Sequence, residues 1–235
     1  MLFLKSLPAD LRANGGFQWP GQVGAIVEST TWDPYPVCGA GLHGLRNGEG
    51  DLQLLNLSET ATWIAFESVD EHGDPSDAEA VVIDRAKAKC HRAIIRAIGA
   101  RDEATAWLVQ QGCTKVPYAN ITVGDYQVAA VGPCAKVSSG FNGIAIGGGH
   151  SHATVAECGI AITDSWGKSQ SRGFNTVAIS GRHGHATVED CSIAITGDSS
   201  TSAMAAMTLS SMDFRMLPQS PSGLSNTSRN GTLPM

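Results

Sequence analysis

Apolar residues in the second half of the chain recur in short units eight residues apart. Asn142-Gly-Ile-Ala-Ile-x-Gly-x-His-x-His-Ala-Thr-Val-x-x-Cys158 returns 33 residues later as Asn175-Thr-Val-Ala-Ile-x-Gly-x-His-x-His-Ala-Thr-Val-x-x-Cys191. Ile144-Ala145-Ile146 repeats at Ile160-Ala161-Ile162, Val177-Ala178-Ile179 and Ile193-Ala194-Ile195, in steps of 16, 17 and 16. Midway between lie Ala153-Thr154-Val155 and Ala186-Thr187-Val188. The octad runs back through Ala135-Lys136-Val137 and Val128-Ala129-Ala130 to Ile121-Thr122-Val123, and forward to Ser202-Ala203-Met204. Each unit reads as a short strand, because alternate residues of a strand share a face. Residues 116–204 are therefore expected to form an all-β solenoid of sixteen-residue coils, two short strands per coil, stabilised by stacking. Ile144, Ile146, Ile160, Ile162, Val177, Ile179, Ile193 and Ile195 are expected on one inner face, with Ala153, Val155, Ala186 and Val188 opposite. Ile162→Asp would then bury an unpaired charge and cost several kcal/mol. Gly and polar residues between units are expected to turn the corners, where positive φ is often needed.

Residues 1–115 have no such period and read as an α+β domain. Val23–Ser29 and Thr62–Val69 have strand composition. Residues 34–44 are broken by Pro and Gly into loop and turn. Asp70–Glu79 reads as an acidic loop. A helix is predicted over 84–98, ended by Gly99, with Ile83, Cys90, Ile94, Ala97 and Ile98 on one side and Arg85, Lys89, Arg92 and Arg96 on the other. A second is predicted over 102–111, acidic at its start and followed by Gly112. Residues 205–235 read as a capping or association segment with a polar tail. Met204, Met207, Met212, Phe214 and Met216 supply adaptable apolar side chains for a contact.

Composition narrows the class. Aromatic residues are 6% and charged residues 16%, with 27 glycines among 235 residues, as suits a narrow repetitive β structure. A net charge of −6 disfavours nucleic acid as a general partner and leaves the basic helix face as its one entry point. The start of the chain lacks a signal-peptide core, and no apolar run approaches a membrane span. A cytoplasmic location without membrane contact is expected. The six cysteines have no C-x-x-C pair, so reduced, mostly buried thiols are expected, and Cys158 and Cys191 stand two coils apart, too far for a disulfide.

Trp19-Pro-Gly-Gln-Val-Gly-Ala-Ile-Val, Trp32-Asp-Pro, Cys38-Gly-Ala-Gly-Leu-His-Gly44, Gly48-Glu-Gly-Asp51 and Ala61-Thr-Trp-Ile resemble an uncharacterised phage and bacterial family. Its members carry an N-terminal GLHG-containing domain followed by octad repeats like those of ice-nucleation proteins. The resemblance spans about residues 15–115 closely and the repeat in style only. It implies a phage or prophage context, in the host cytoplasm or a virion, and no established activity.

His43, between glycines, is the most enzyme-like single residue and marks a possible functional loop. An ADP-ribosyltransferase-like site would need an acidic companion such as Glu67, and no spacing selects one. His150-x-His152 and His183-x-His185 have metal-ligand character, but two coils separate the pairs, about 9–10 Å against a ligand distance near 2 Å. A polar surface ladder is the simpler reading. Too few threonine ranks exist for ice binding. With no nucleophile–base pair, phosphate loop or cofactor motif, the chain reads as a non-enzymatic structural or protein-binding protein without cofactor, acting through a rigid solenoid and through self-association or a protein partner. Inhibition of a host defence or nucleic-acid enzyme by acidic mimicry is the alternative, and an N-terminal transferase the second.

Overall fold

A computed structural model describes residues 1–85, 87–199 and 201–204. The N-terminal part is a seven-stranded sheet with one helix. Its strands are β1 (Leu2–Leu7), β2 (Ile26–Glu28), β3 (Leu42–Arg46), β4 (Thr62–Ser68), β5 (Ala80–Val82), β6 (Ala88–Cys90) and β7 (Arg92–Gly99), in the order β2-β7-β4-β1-β3-β6-β5. All its ladders are antiparallel. The expected strands near 23–29 and 62–69 are present as β2 and β4. The second predicted helix is α1 (Arg101–Gln110), with Asp102 and Glu103 in its first turn, where they complement the helix dipole.

The predicted helix over 84–98 does not form. Its residues make β6 and β7, with His91 between them. The spacing of Ile94, Ile95 and Ile98 fits a helix wheel, but β-branched residues gain more against a partnered sheet. β7 pairs with β2 on one side and along the whole of β4 on the other, and no isolated helix offers comparable burial. The 34–44 loop is also shorter than expected, because its last three residues open β3. The chain's first residues, without a role in the sequence reading, form β1 at the middle of the sheet.

β4 shows why the sheet is two-sided. Trp63 and Ala65 face one cluster, with Leu4, Leu45 and the α1 residues Ala104 and Leu108. Ile64 and Phe66 face the other, with Phe3, Trp19 and Ile95. Phe3 and Phe66 stack at 4.7 Å between ring centres. The α1 cluster continues through Val116 and Ala119 into Ala129, Val137, Ala145 and Ala161, so one core links the sheet to the first coils of the repeat.

The repeat forms the expected solenoid of about five turns, with two parallel sheets and two strands per coil. One sheet holds β8 (Asn120–Thr122), β10 (Lys136–Ser139), β12 (His152–Val155), β14 (Lys168–Ser171), β16 (His185–Val188) and β18 (Thr201–Met204). The other holds β9 (Val128–Val131), β11 (Ile144–Gly147), β13 (Ile160–Thr163), β15 (Val177–Ser180) and β17 (Ile193–Thr196). Partners sit in register, so Ile144, Ile160, Val177 and Ile193 form one column.

The inner faces differ from expectation on one side. Ala153, Val155, Ala186 and Val188 are buried as predicted. In the facing sheet, however, Ala145, Ala161 and Ala178 point inward and the isoleucines outward. Against the inward Ala and Val of the other sheet, a coil this narrow leaves room mainly for Ala, Ser, Thr and Gly, and two isoleucine columns would overfill it. The choice inverts every side chain of a strand at once, since the period is two. The space is completed by buried hydroxyls: Thr163 Oγ1 lies 2.9 Å from Ser169 Oγ and 3.1 Å from Ser180 Oγ. Ser180 Oγ donates to the Gly167 carbonyl at 3.0 Å.

The corners take the expected positive φ, on polar residues and also on Cys and Trp. Left-handed backbone falls on Cys134, His150, Trp166 and His183 along one corner, and on Asn142, Cys158, Asn175 and Cys191 along the other, at φ of 52–61°. Each costs about 1–2 kcal/mol for a non-glycine residue. That geometry aims each amide at the next coil: the N–H of Cys134, His150 and Trp166 donates to the carbonyls of Gly149, Ser165 and Arg182 at 2.8–3.0 Å. Glycine serves close approach instead. A Cβ on Gly148 would lie 2.8 Å from the Gly132 carbonyl carbon.

Candidate functional site

The four basic residues assigned to a helix face do not share a face. Arg92 and Arg96 alternate outward on β7 and are neutralised by Glu28 at 3.0 Å and Glu67 at 2.7 Å. Lys89 is 0% exposed, its Nζ donating to the Val37 carbonyl at 2.9 Å. Arg85 lies in the bend before β6. A strand sends neighbours to opposite faces, so the basic face read from a helical wheel does not form. Of the Met-rich segment, Met204 ends β18, while Met207, Met212, Phe214 and Met216 lie outside the described residues.

His43 lies on β3, not in a loop, with Lys89 directly opposite on β6. β1 and β3 pair only at Phe3↔Arg46 and Leu4↔Leu45. Beyond that register a cavity of about 670 Å³ opens, lined by Lys5, Ser6 and Leu7 of β1, by His43 and Gly44 of β3, and by Arg12, Cys38, Leu54, Leu55 and Lys87 among others. Glycine fits closely at 44, where a Cβ would stand 3.0 Å from the Leu4 carbonyl oxygen.

The cavity is cationic, and no carboxylate lines it. Burial first, then the charge of Lys87, lowers the Lys5 pKa to about 8. Burial, followed by Lys87, Lys5 and Lys89, lowers that of His43 to about 4, against a hydrogen bond to the Gly41 backbone that raises it. Lys87 Nζ lies 3.3 Å from Cys38 Sγ. His43 Nε2 is buried without a hydrogen-bond partner. Glu67, the companion of the transferase reading, is tied to Arg96 and lies outside the cavity lining. Lys5 and Lys87 escaped the sequence reading, although a lone lysine inside Leu2-Phe3-Leu4-Lys5-Ser6-Leu7 is a signal of a charge held for a purpose.

The solenoid presents two unlike plates. One carries Val128, Ile144, Ile160, Val177 and Ile193 in one column and Ala130, Ile146, Ile162, Ile179 and Ile195 in the next. Val128 is 63% exposed, Ile193 58% and Ile195 50%. The other carries Lys136, His152, Lys168 and His185 in a column beside Ser138, Thr154, Gln170 and Thr187. Burial, then Lys168 and Lys136, lowers the His152 pKa. At the adjoining corner Trp166 is sandwiched between His150 and His183, at ring-centre distances of 6.1 and 4.4 Å. No group of three or more metal-ligating side chains is gathered among the described residues, and no described helix is long and apolar enough to cross a membrane. Compared with known proteins, the chain matches no family model, no curated protein and no solved structure.

Proposed function

We propose that the chain is a non-enzymatic assembly protein, of the phage type its N-terminal motifs resemble, and that its solenoid docks onto a second copy through the Val/Ile plate. The observation that carries this reading is the pair of outward-facing apolar columns across five strands, half-buried at their centre and exposed at Val128, Ile193 and Ile195. Apolar residues turned to water over a contiguous, flat area are what interaction sites look like on soluble proteins. The plate suits its own copy because both carry columns at the same pitch, so the side chains of one fit between the columns of the other, as in facing sheets about 10 Å apart.

Size sets the strength. Five strands about 4.8 Å apart and about 13 Å long give a plate of roughly 300 Å² in projection. Covering it on both copies places the contact at the low end of specific interfaces, below about 1,200 Å² in total. A concentration-dependent dimer is expected, with the Lys/His plate left in water. The acidic-mimic alternative has less to stand on, since that outward plate carries lysine and histidine.

Sedimentation velocity of the intact protein over a wide concentration range tests this. Weight-average mass should rise from monomer towards dimer, and Ile160→Lys with Ile162→Lys should hold it at monomer. A monomer at every concentration sinks the proposal, as does a dimer that survives both substitutions.

A further inference from the structure

We propose that the cavity beside His43 binds a small organic phosphate, with the phosphate group held by Lys5, Lys87 and His43. Three features of the cavity converge on this ligand class. Lys5 and Lys87 make no ion pair among the described residues, and no carboxylate lines the space they share. In a chain of net charge −6, cations gathered without a counter-charge are an anion's complement, and half-buried ammonium groups gain most from one.

His43 narrows the anion. Its ring donates to the Gly41 backbone, so the neutral imidazole leaves an accepting Nε2, buried and unpartnered, on a residue that lines the same cavity as the lysines. A ligand satisfying all three groups offers acceptor oxygens to Lys5 and Lys87 and an O–H to Nε2. A phosphate monoester does so near neutral pH, because its second pKa of about 6 leaves a P–OH on part of the population. Sulfate is a dianion at this pH and has no such hydrogen to give.

The cavity is larger than a phosphate ion and falls in the size range of small-molecule sites, about 300–1,000 Å³. Leu7, Leu54 and Leu55 supply an apolar wall beside the cations, where the carbon skeleton of an ester can lie.

Titration of the full chain with inorganic phosphate, sulfate and phenyl phosphate, followed by calorimetry and by the imidazole resonances of His43, tests the assignment. Phosphate should saturate and shift the His43 resonances, sulfate should bind at least tenfold more weakly, and phenyl phosphate more tightly than phosphate. Lys5→Met and Lys87→Met should each weaken phosphate binding about tenfold or more. Lys87 is only half-buried and precedes β6 rather than lying within a strand, so its variant separates ligand loss from misfolding. Absence of saturation by all three ions overturns the proposal. So does phosphate binding that leaves the His43 resonances unmoved, that sulfate equals, or that both lysine variants retain.

Discussion

At the scale of single residues, the lowered pKa of His43 makes a pH prediction. Its folded value, about 4, lies below the ordinary 6.5. Between those values the unfolded chain binds more protons than the folded one, so stability falls as pH falls through that window. Denaturant midpoints should therefore drop from pH 6.5 to 4, and His43→Gln should flatten that drop. Equal slopes in the two proteins would show that the imidazole is not held neutral. Lys5 has the same sign at higher pH. With its pKa lowered from 10.5 to about 8, it contributes a rise in stability between those values. Above pH 9 Cys90 opposes it, its thiol pushed up to about 12 by burial.

At the scale of elements, the inward alanines reverse the usual ranking of substitutions. Ala161 is fully buried between two strand layers, while Ile162 beside it lies on the outer plate. Ala161→Leu should cost about 3 kcal/mol, as overpacking of a filled core does. Ile162→Asp should cost about 1 kcal/mol, the scale of a strand-surface change, and should weaken dimer formation. Urea unfolding of both variants checks the order, and the reverse ranking would return the isoleucines to the interior. Ser180→Ala tests the buried hydroxyls. It removes a partner from Thr163 and from the Gly167 carbonyl and should cost about 1 kcal/mol.

At the scale of the whole molecule, the core is divided and unevenly anchored. One cluster runs from the N-terminal sheet through α1 to Ala161, whereas Ala178, Ala186 and Val188 form a small cluster of their own. Stacked repeats open most readily where they share least core with their neighbours. Hydrogen exchange should therefore be slowest in β4, β7 and β11, and should quicken from β15 towards β17. Uniform protection along the solenoid would mean that its last coils are held as firmly as its first.

The sequence by itself determined the period of the solenoid, its two strands per coil and the register of its columns. These follow from a repeat in which equal positions must stack. It also placed α1, whose acidic start and glycine exit are local signals. Which face of each Ile-Ala-Ile unit turns inward was not legible, since hydropathy favours the isoleucines and only the width of the coil excludes them. Residues 84–98 satisfied a helical wheel and a strand alternation alike, and the long partner β4 decided between them. The cavity beside His43 needed the tertiary structure most. Lys5, His43 and Lys87 are scattered over more than eighty residues, and they meet only because β1 and β3 stop pairing after Leu4↔Leu45.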